Sequence, residues 1–183
     1  MKKTIIFIIS IVITLNLTAQ EKTHKFDFKI GSGLGLMGSG DLIALCFENE
    51  LNYKLDNYFS TSISLGIGRS IEFNKRHNDY LQRSLNLFIS PFRNDKKNNF
   101  KIGLGYSRIN ETVTYLSSWY YYPDTYIDKF EYSGSSINAF NMIIENEYKI
   151  TSRFLIGGKL FMTIGIEEGG IISGVMIKFG YVL

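Results

Sequence analysis

The sequence predicts an all-β protein, an eight-stranded antiparallel up-and-down transmembrane β-barrel. Three observations carry that expectation. Large apolar residues alternate with small or polar ones at a period of two through eight segments, which is the pattern of strands, and no stretch of any length repeats at 3.6 residues. Most charges within those segments fall on the faces opposite the large apolar residues, and aromatics gather at one end of the strands. Seventeen glycines with two prolines agree with an all-β chain.

The chain opens Met1-Lys2-Lys3, followed by an apolar run from Ile5 to Leu15 interrupted by Ser10 and Thr14, and then Leu17-Thr18-Ala19-Gln20. A cationic start, an apolar run well short of the ~20 residues a spanning helix needs and a small residue before Gln20 read as a cleaved signal peptide. Residues 1–19 are therefore expected to be removed and residues 20–183 to form one domain, with a retained anchor helix as the rival. No cysteine follows the cut, so a lipid anchor there is not expected. Of 20 basic and 17 acidic residues, Lys2 and Lys3 fall in the leader, so the mature chain is close to neutral and nothing steers nucleic acid to it. The single cysteine, Cys46, excludes an intrachain disulfide and suits small-residue packing.

In order, the first strand spans Phe26 to Met37, with Phe28, Ile30, Leu34 and Leu36 on one face and Asp27, Lys29 and glycines on the other. After Gly38-Ser39-Gly40-Asp41 the second, Leu42 to Leu55, sets Ile43, Leu45, Phe47 and Leu51 against Ala44, Cys46, Glu48, Glu50 and Lys54. Asp56-Asn57 turns the chain into the third, Phe59 to Ser70, whose second face is serine and glycine. A polar loop, Glu72 to Asp79, precedes the fourth strand, near Tyr80 to Ser90, where Arg83 is the one misfit on the apolar side. The fifth begins at Phe100 and sets Ile102, Leu104 and Tyr106 against Lys101 and glycines; the sixth, to Ile150, sets Phe140, Met142, Ile144 and Tyr148 against Asn141, Glu145, Glu147 and Lys149. The seventh runs from Phe154 to Ile166 with Lys159 on its second face, and the eighth from Ile171 to Leu183 with Lys178 likewise. Connections after even strands are compact and those after odd strands include the long ones, the layout of an outer-membrane barrel.

Alternation alone leaves open whether the apolar face lines a soluble lipocalin-type barrel or meets lipid; volume, aromatics and charge choose between them. Eight strands enclose a space that side chains just fill, which suits the glycine, serine and alanine faces better than rows of Leu, Ile and Phe. Phe26, Tyr53, Phe59, Phe100, Tyr148, Phe154 and Tyr181 fall at the short-turn ends, where an interfacial girdle belongs. Asp27, Lys29, Glu48, Glu50, Lys54, Lys101, Glu145, Glu147, Lys149, Lys159 and Lys178 all sit on the non-apolar faces. Turning such lysines to lipid would cost about 2–4 kcal/mol each at the midplane, so the inverted arrangement is disfavoured by roughly 10 kcal/mol. These residues are expected to form a neutralising charge network in the lumen.

The pattern from Phe26 to Leu183 resembles the small eight-stranded outer-membrane barrels of the OmpA/OmpX type, and in particular the "outer membrane protein β-barrel domain" proteins of Bacteroidetes-like bacteria. The ending Lys178-Phe179-Gly180-Tyr181-Val182-Leu183 resembles the assembly signal, here Phe179, Tyr181 and Leu183, that such proteins present to the barrel-insertion machinery; leucine stands where phenylalanine is common. The resemblance implies a monomer in the cell outer membrane, surrounded by outer-membrane lipid and lipopolysaccharide, with a structural or surface-interaction role and a protein or glycan outside the cell as a candidate ligand.

Some barrels of this size modify lipid A and need a histidine positioned by a carboxylate beside a serine. His24 precedes the first strand, and His77 lies in the polar loop Lys75-Arg76-His77-Asn78-Asp79, where Asp79 occupies the place a His-x-Ser spacing would give to serine. No catalysis is expected; a lipid A acyltransferase or deacylase and a secreted lipocalin-like binder are the alternatives. Gly33-x-Gly35-x-x-Gly38 formally matches a dinucleotide fingerprint but leads to a turn and a strand instead of a helix, so glycines lining a narrow barrel explain it, and no cofactor or metal is expected.

The connection from Arg108 to Ser136 is the unusual one. Val113 and Tyr115, then Phe130 and Tyr132, alternate with polar neighbours, so the flanking strands are expected to continue beyond the membrane as a raised hairpin. Its tip carries Trp119, Tyr120, Tyr121, Tyr122 and Tyr126, residue types that serve protein contact and strand addition, although the plainer expectation is that they brace the hairpin or rest on headgroups.

Overall fold

The computed structural model describes residues 25–38, 42–71, 77–92, 97–117, 129–166 and 170–183. The expected signal peptide, His24 and the hairpin tip with Trp119, Tyr120, Tyr121, Tyr122 and Tyr126 lie outside the described residues. Eight strands follow one another: β1 Phe26–Met37, β2 Leu42–Lys54, β3 Phe59–Ser70, β4 His77–Ile89, β5 Asn98–Ser117, β6 Lys129–Lys149, β7 Phe154–Gly165 and β8 Ile171–Val182. Each pairs antiparallel with its neighbours, and β8 returns to pair with β1 from Asp27↔Val182 to Leu36↔Ser173, closing the barrel.

Closure fixes what each residue faces. Side chains alternate, so one register sends every second residue into the lumen and the rest outward. Ile63 is 66% exposed and its neighbours Ser62 and Ser64 are buried; Leu104 is 63% exposed between buried Gly103 and half-buried Gly105. The apolar rows of all eight strands therefore form an outward band of the kind that meets acyl chains. At its short-turn margin Phe26 stacks on Tyr53 with ring centroids 4.8 Å apart and Phe154 meets Tyr181 edge-on at 5.2 Å, so part of the expected girdle is built from cross-strand aromatic pairs.

Several bounds differ from the sequence expectation. β4 begins at His77 and not at Tyr80, because His77, Asn78 and Asp79 pair with Thr114, Val113 and Thr112 of the long β5; His77 is a strand residue, not a loop residue. β5 starts at Asn98, pairing with Tyr148, two residues earlier than its first apolar residue suggested. β2, β6, β7 and β8 each stop a residue short of the apolar side chain expected to end them. In each case ladder pairing, not hydrophobicity, sets the end.

The turns are closed by local chemistry. Asp56 Oδ1 accepts from the backbone N–H groups of Tyr58 at 2.6 Å and Phe59 at 2.7 Å, holding the β2–β3 turn, and Thr151 Oγ1 does the same for Phe154 N at 3.0 Å before β7. Gly38 ends β1 with φ of 70°, a conformation glycine adopts without penalty. Replacing Asp56 with alanine is expected to lower stability by about 1 kcal/mol, read as a shift in the urea midpoint of the folded barrel, with Asp56→Asn close to unchanged. An alanine variant with the parent midpoint would mean that strand pairing alone sets this turn.

Candidate functional site: a filled lumen under a raised sheet

Lumen-facing residues sort into three tiers along the axis. The tier nearest the short turns is ionic. Lys29, Lys101, Lys159 and Lys178 project inward from β1, β5, β7 and β8 and are buried, as are Asp27, Glu50, Glu145 and Glu147, with Glu48 at the edge. Lys178 Nζ lies 2.7 Å from Glu50 Oε2, 3.1 Å from Glu145 and 3.2 Å from Glu48. Lys29 Nζ reaches Glu145 at 3.2 Å, Glu50 at 3.4 Å and Asp27 at 3.6 Å, and also contacts Glu147. Lys159 binds both oxygens of Glu48 at 2.7 Å, and Lys101 meets Glu147 at 2.7 Å.

The chain forms this network because residues distant in sequence share one level of a closed ring. Lys29 is the register partner of Glu50, Lys101 of Glu145 and Lys159 of Glu145, so opposite charges meet across the ladders as well as across the bore. Strand β3 contributes the short Ser60, Ser62 and Ser64 to the same interior, which leaves room for the lysines, while β4 contributes buried Phe88, whose ring centroid lies 5.8 Å from Lys101 Nζ. Asn52 Nδ2 donates to Asp27 at 3.0 Å and to Glu50 at 2.5 Å, fastening the carboxylates further. Lys54 and Lys149, expected in the network, are only half-buried at its short-turn rim.

Above it lies a neutral tier around Gln82, whose Nε2 donates to Ser84, Ser107, Asn141 and Thr163 at 3.1 to 3.3 Å. Asn141 Nδ2 in turn donates to Asn86 at 2.9 Å. A cavity of about 10 Å³ between Glu48, Gln82 and Lys159 has room for about one water. Towards the long loops Met37, Ala44, Cys46, Tyr80, Ile109, Ala139, Ile172 and Met176 pack into an apolar cluster. Sequence reading missed this cap: the inward alternation at the far strand ends, Met37, Ala44, Ile109, Ala139 and Ile172, was its available signal. The bore is thus filled by ions, amides and apolar groups in turn, with Phe88, Leu155 and Val182 as apolar packing within the ionic tier.

The wall also rises on one side. β5 and β6 stay paired from Asn98↔Tyr148 to Ser117↔Lys129, whereas β7 leaves β6 at Ala139↔Gly165 and β4 leaves β5 at His77↔Thr114. Two paired arms thus extend where the raised hairpin was expected, its tip lying outside the described residues, and the β6–β7 ladder begins only at Ala139↔Gly165. The residues of the expected assembly signal lie on or just after the closing strand: Phe179 and Tyr181 pair with Ile30 and Phe28 of β1, and Leu183 N bonds to Phe26 O at 2.9 Å.

A closed eight-stranded antiparallel wall, apolar outside and filled with paired charges inside, is a small barrel of the outer-membrane kind. No family model matches the sequence, and no curated protein matches it. Solved structures do. Neisserial surface protein A superposes with a TM-score of 0.65 at 6% identity, covering 88% of this chain and 98% of that one. A major outer membrane protein from Thermus thermophilus gives 0.60 at 9% identity over 85% and 98% of the two chains, and Ail, the attachment invasion locus protein of Yersinia pestis, gives 0.59 at 11% over 86% and 97%. At these identities the likeness is one of fold.

Proposed function

We propose that the protein is a monomeric outer-membrane barrel, exported by its leader and placed by the insertion machinery, that acts in surface interaction, as an adhesive or binding element, without catalysis. The observation that carries this reading is the raised β5–β6 sheet standing over a filled bore. A bore occupied by fully buried lysines and glutamates, and capped by Met37, Tyr80 and Ile109, does not suit steady conduction, whereas the β5–β6 pairing continues well past the end of the β6–β7 ladder, and the sequence joining those two strands carries Trp119, Tyr120, Tyr121, Tyr122 and Tyr126. Ail has been solved with a heparin analogue, sucrose octasulfate, which makes a sulfated glycan a reasonable first probe alongside host-type proteins.

The test replaces residues 118–128 by a short turn in cells that display the protein. Binding of immobilised sulfated glycan or matrix protein should fall to the level of cells lacking the protein, while heat-modifiable gel mobility shows the barrel intact. Undiminished binding by an intact barrel would defeat the assignment of the tip. In planar bilayers the purified protein should give no steady conductance; a stable open channel would replace the interaction reading with transport.

A further inference from the structure

We infer that the outward face of β4, β5 and β6 carries a site for the phosphate of a lipid headgroup, built around Arg83 and Arg108; this rests on the membrane reading above. The outward row of β3 stays free of charge from Phe59 through Ile67 before reaching Arg69, whereas β4 gives Ile89, Leu87 and Leu85 and then Arg83, and β5 gives Ile102, Leu104 and Tyr106 and then Arg108. The apolar band is therefore cut short on this side, and by arginine on both strands.

These two arginines are register partners, directly opposite across the β4–β5 ladder, and both are exposed. Like charges so placed repel, and an arginine turned to lipid is costly unless an anion meets it. Arg69, on the same outer surface, has its carboxylate: Asp79 accepts from it at 2.6 and 2.9 Å. None of the ion pairs among the described residues includes Arg83 or Arg108. Arg108 Nε instead donates to Ser136 Oγ at 2.9 Å, which fixes the guanidinium across the β5–β6 pair. Tyr106 O–H donates to Asn138 Oδ1 at 2.8 Å, and Asn138 is the β6 partner of Arg108, so its amide N–H₂ remains a donor on the β6 side of the arginine pair.

Two guanidinium groups and an amide donor, with no acid among them, suit the charge and the several acceptor oxygens of a phosphate monoester. Leu85, Leu87 and Leu104 below would lie along the acyl chains of the same molecule. The occupant is a phosphorylated glycolipid of the outer leaflet, since the site is on the long-loop half of the wall and its donors point into the membrane surface and not into the bore.

The experiment titrates the folded, full-length protein in mild detergent with diphosphoryl lipid A, with the same lipid stripped of its phosphates, and with inorganic phosphate, and reads bound lipid by native mass spectrometry. Phosphorylated lipid should be retained at least about ten-fold better than the stripped form, and Arg83→Gln/Arg108→Gln should abolish the difference while Arg153→Gln, at the opposite rim, keeps it. Equal retention of the two lipids by the unaltered protein overturns the site, as does a double variant that still discriminates. Displacement of lipid by an equal concentration of inorganic phosphate overturns the lipid assignment. Heat-modifiable mobility of the same samples reports the barrel separately, and the comparison of lipids on the unaltered protein stands even should the double variant fail to fold.

Discussion

Glu50→Gln is expected to destabilise the folded barrel by about 3 kcal/mol, at the low end of what is lost when one member of a buried ion pair is removed. Glu50 is fully buried and touches Lys178 at 2.7 Å, Lys29 at 3.4 Å and Lys159 at 3.6 Å, so neutralising it leaves three lysines competing for the remaining carboxylates. Removing charge from both sides should hurt less: Glu50→Leu/Lys178→Met is expected to recover at least half of the loss, because well-packed apolar pairs often replace buried ion pairs at little cost. Far-UV circular dichroism along a urea series is the suitable readout, since Trp119, the single tryptophan, falls in the sequence between β5 and β6, outside the described residues. A Glu50→Gln midpoint equal to the parent's would show that the network contributes nothing net.

Leu104→Arg is expected to cost about 2–4 kcal/mol in a bilayer, against about 0–1 kcal/mol for Leu55→Arg. Both leucines point outward, 63% and 53% exposed, and they differ in depth: Leu104 lies within the apolar row of β5 and Leu55 just beyond the end of β2. Equal costs would mean that depth is irrelevant and that the outward face does not meet hydrocarbon. In detergent micelles the gap should narrow, because a micelle deforms around a charge more readily than a bilayer.

Strand number, facing and closure were legible because an outward apolar band in lipid demands alternation, and the strands of this chain keep it apart from a few outward arginines such as Arg83. Strand ends were less legible: His77 to Asp79 look like loop in sequence because they are polar, yet a long β5 supplies them with ladder partners. Most of the charge network could be listed from its face, Lys54 and Lys149 being only half-buried at its rim, but its pairings could not, since they depend on which lysine reaches across the bore; Lys29, near the start of the chain, finds Glu145. The apolar cap escaped notice for a different reason. Met37, Ala44 and Ile172 look unremarkable within their own strands and become a cluster only when the ring is closed. Arg83 was visible as a breach of alternation, and its meaning emerged when Arg108 was found opposite it.

The seam between β1 and β8 has a kinetic corollary. Asp27 meets Val182 there, and Leu36 meets Ser173, so the pairing that completes the ring joins segments separated by nearly the whole described chain. Such contacts carry the steepest entropy of loop closure and set slow folding rates. Until that last zipper shuts, β1 and β8 each show a naked row of amides, and the greasy exterior has no solvent it tolerates. Closing of that seam, and not formation of any hairpin between its strands, should therefore be the slow step of folding.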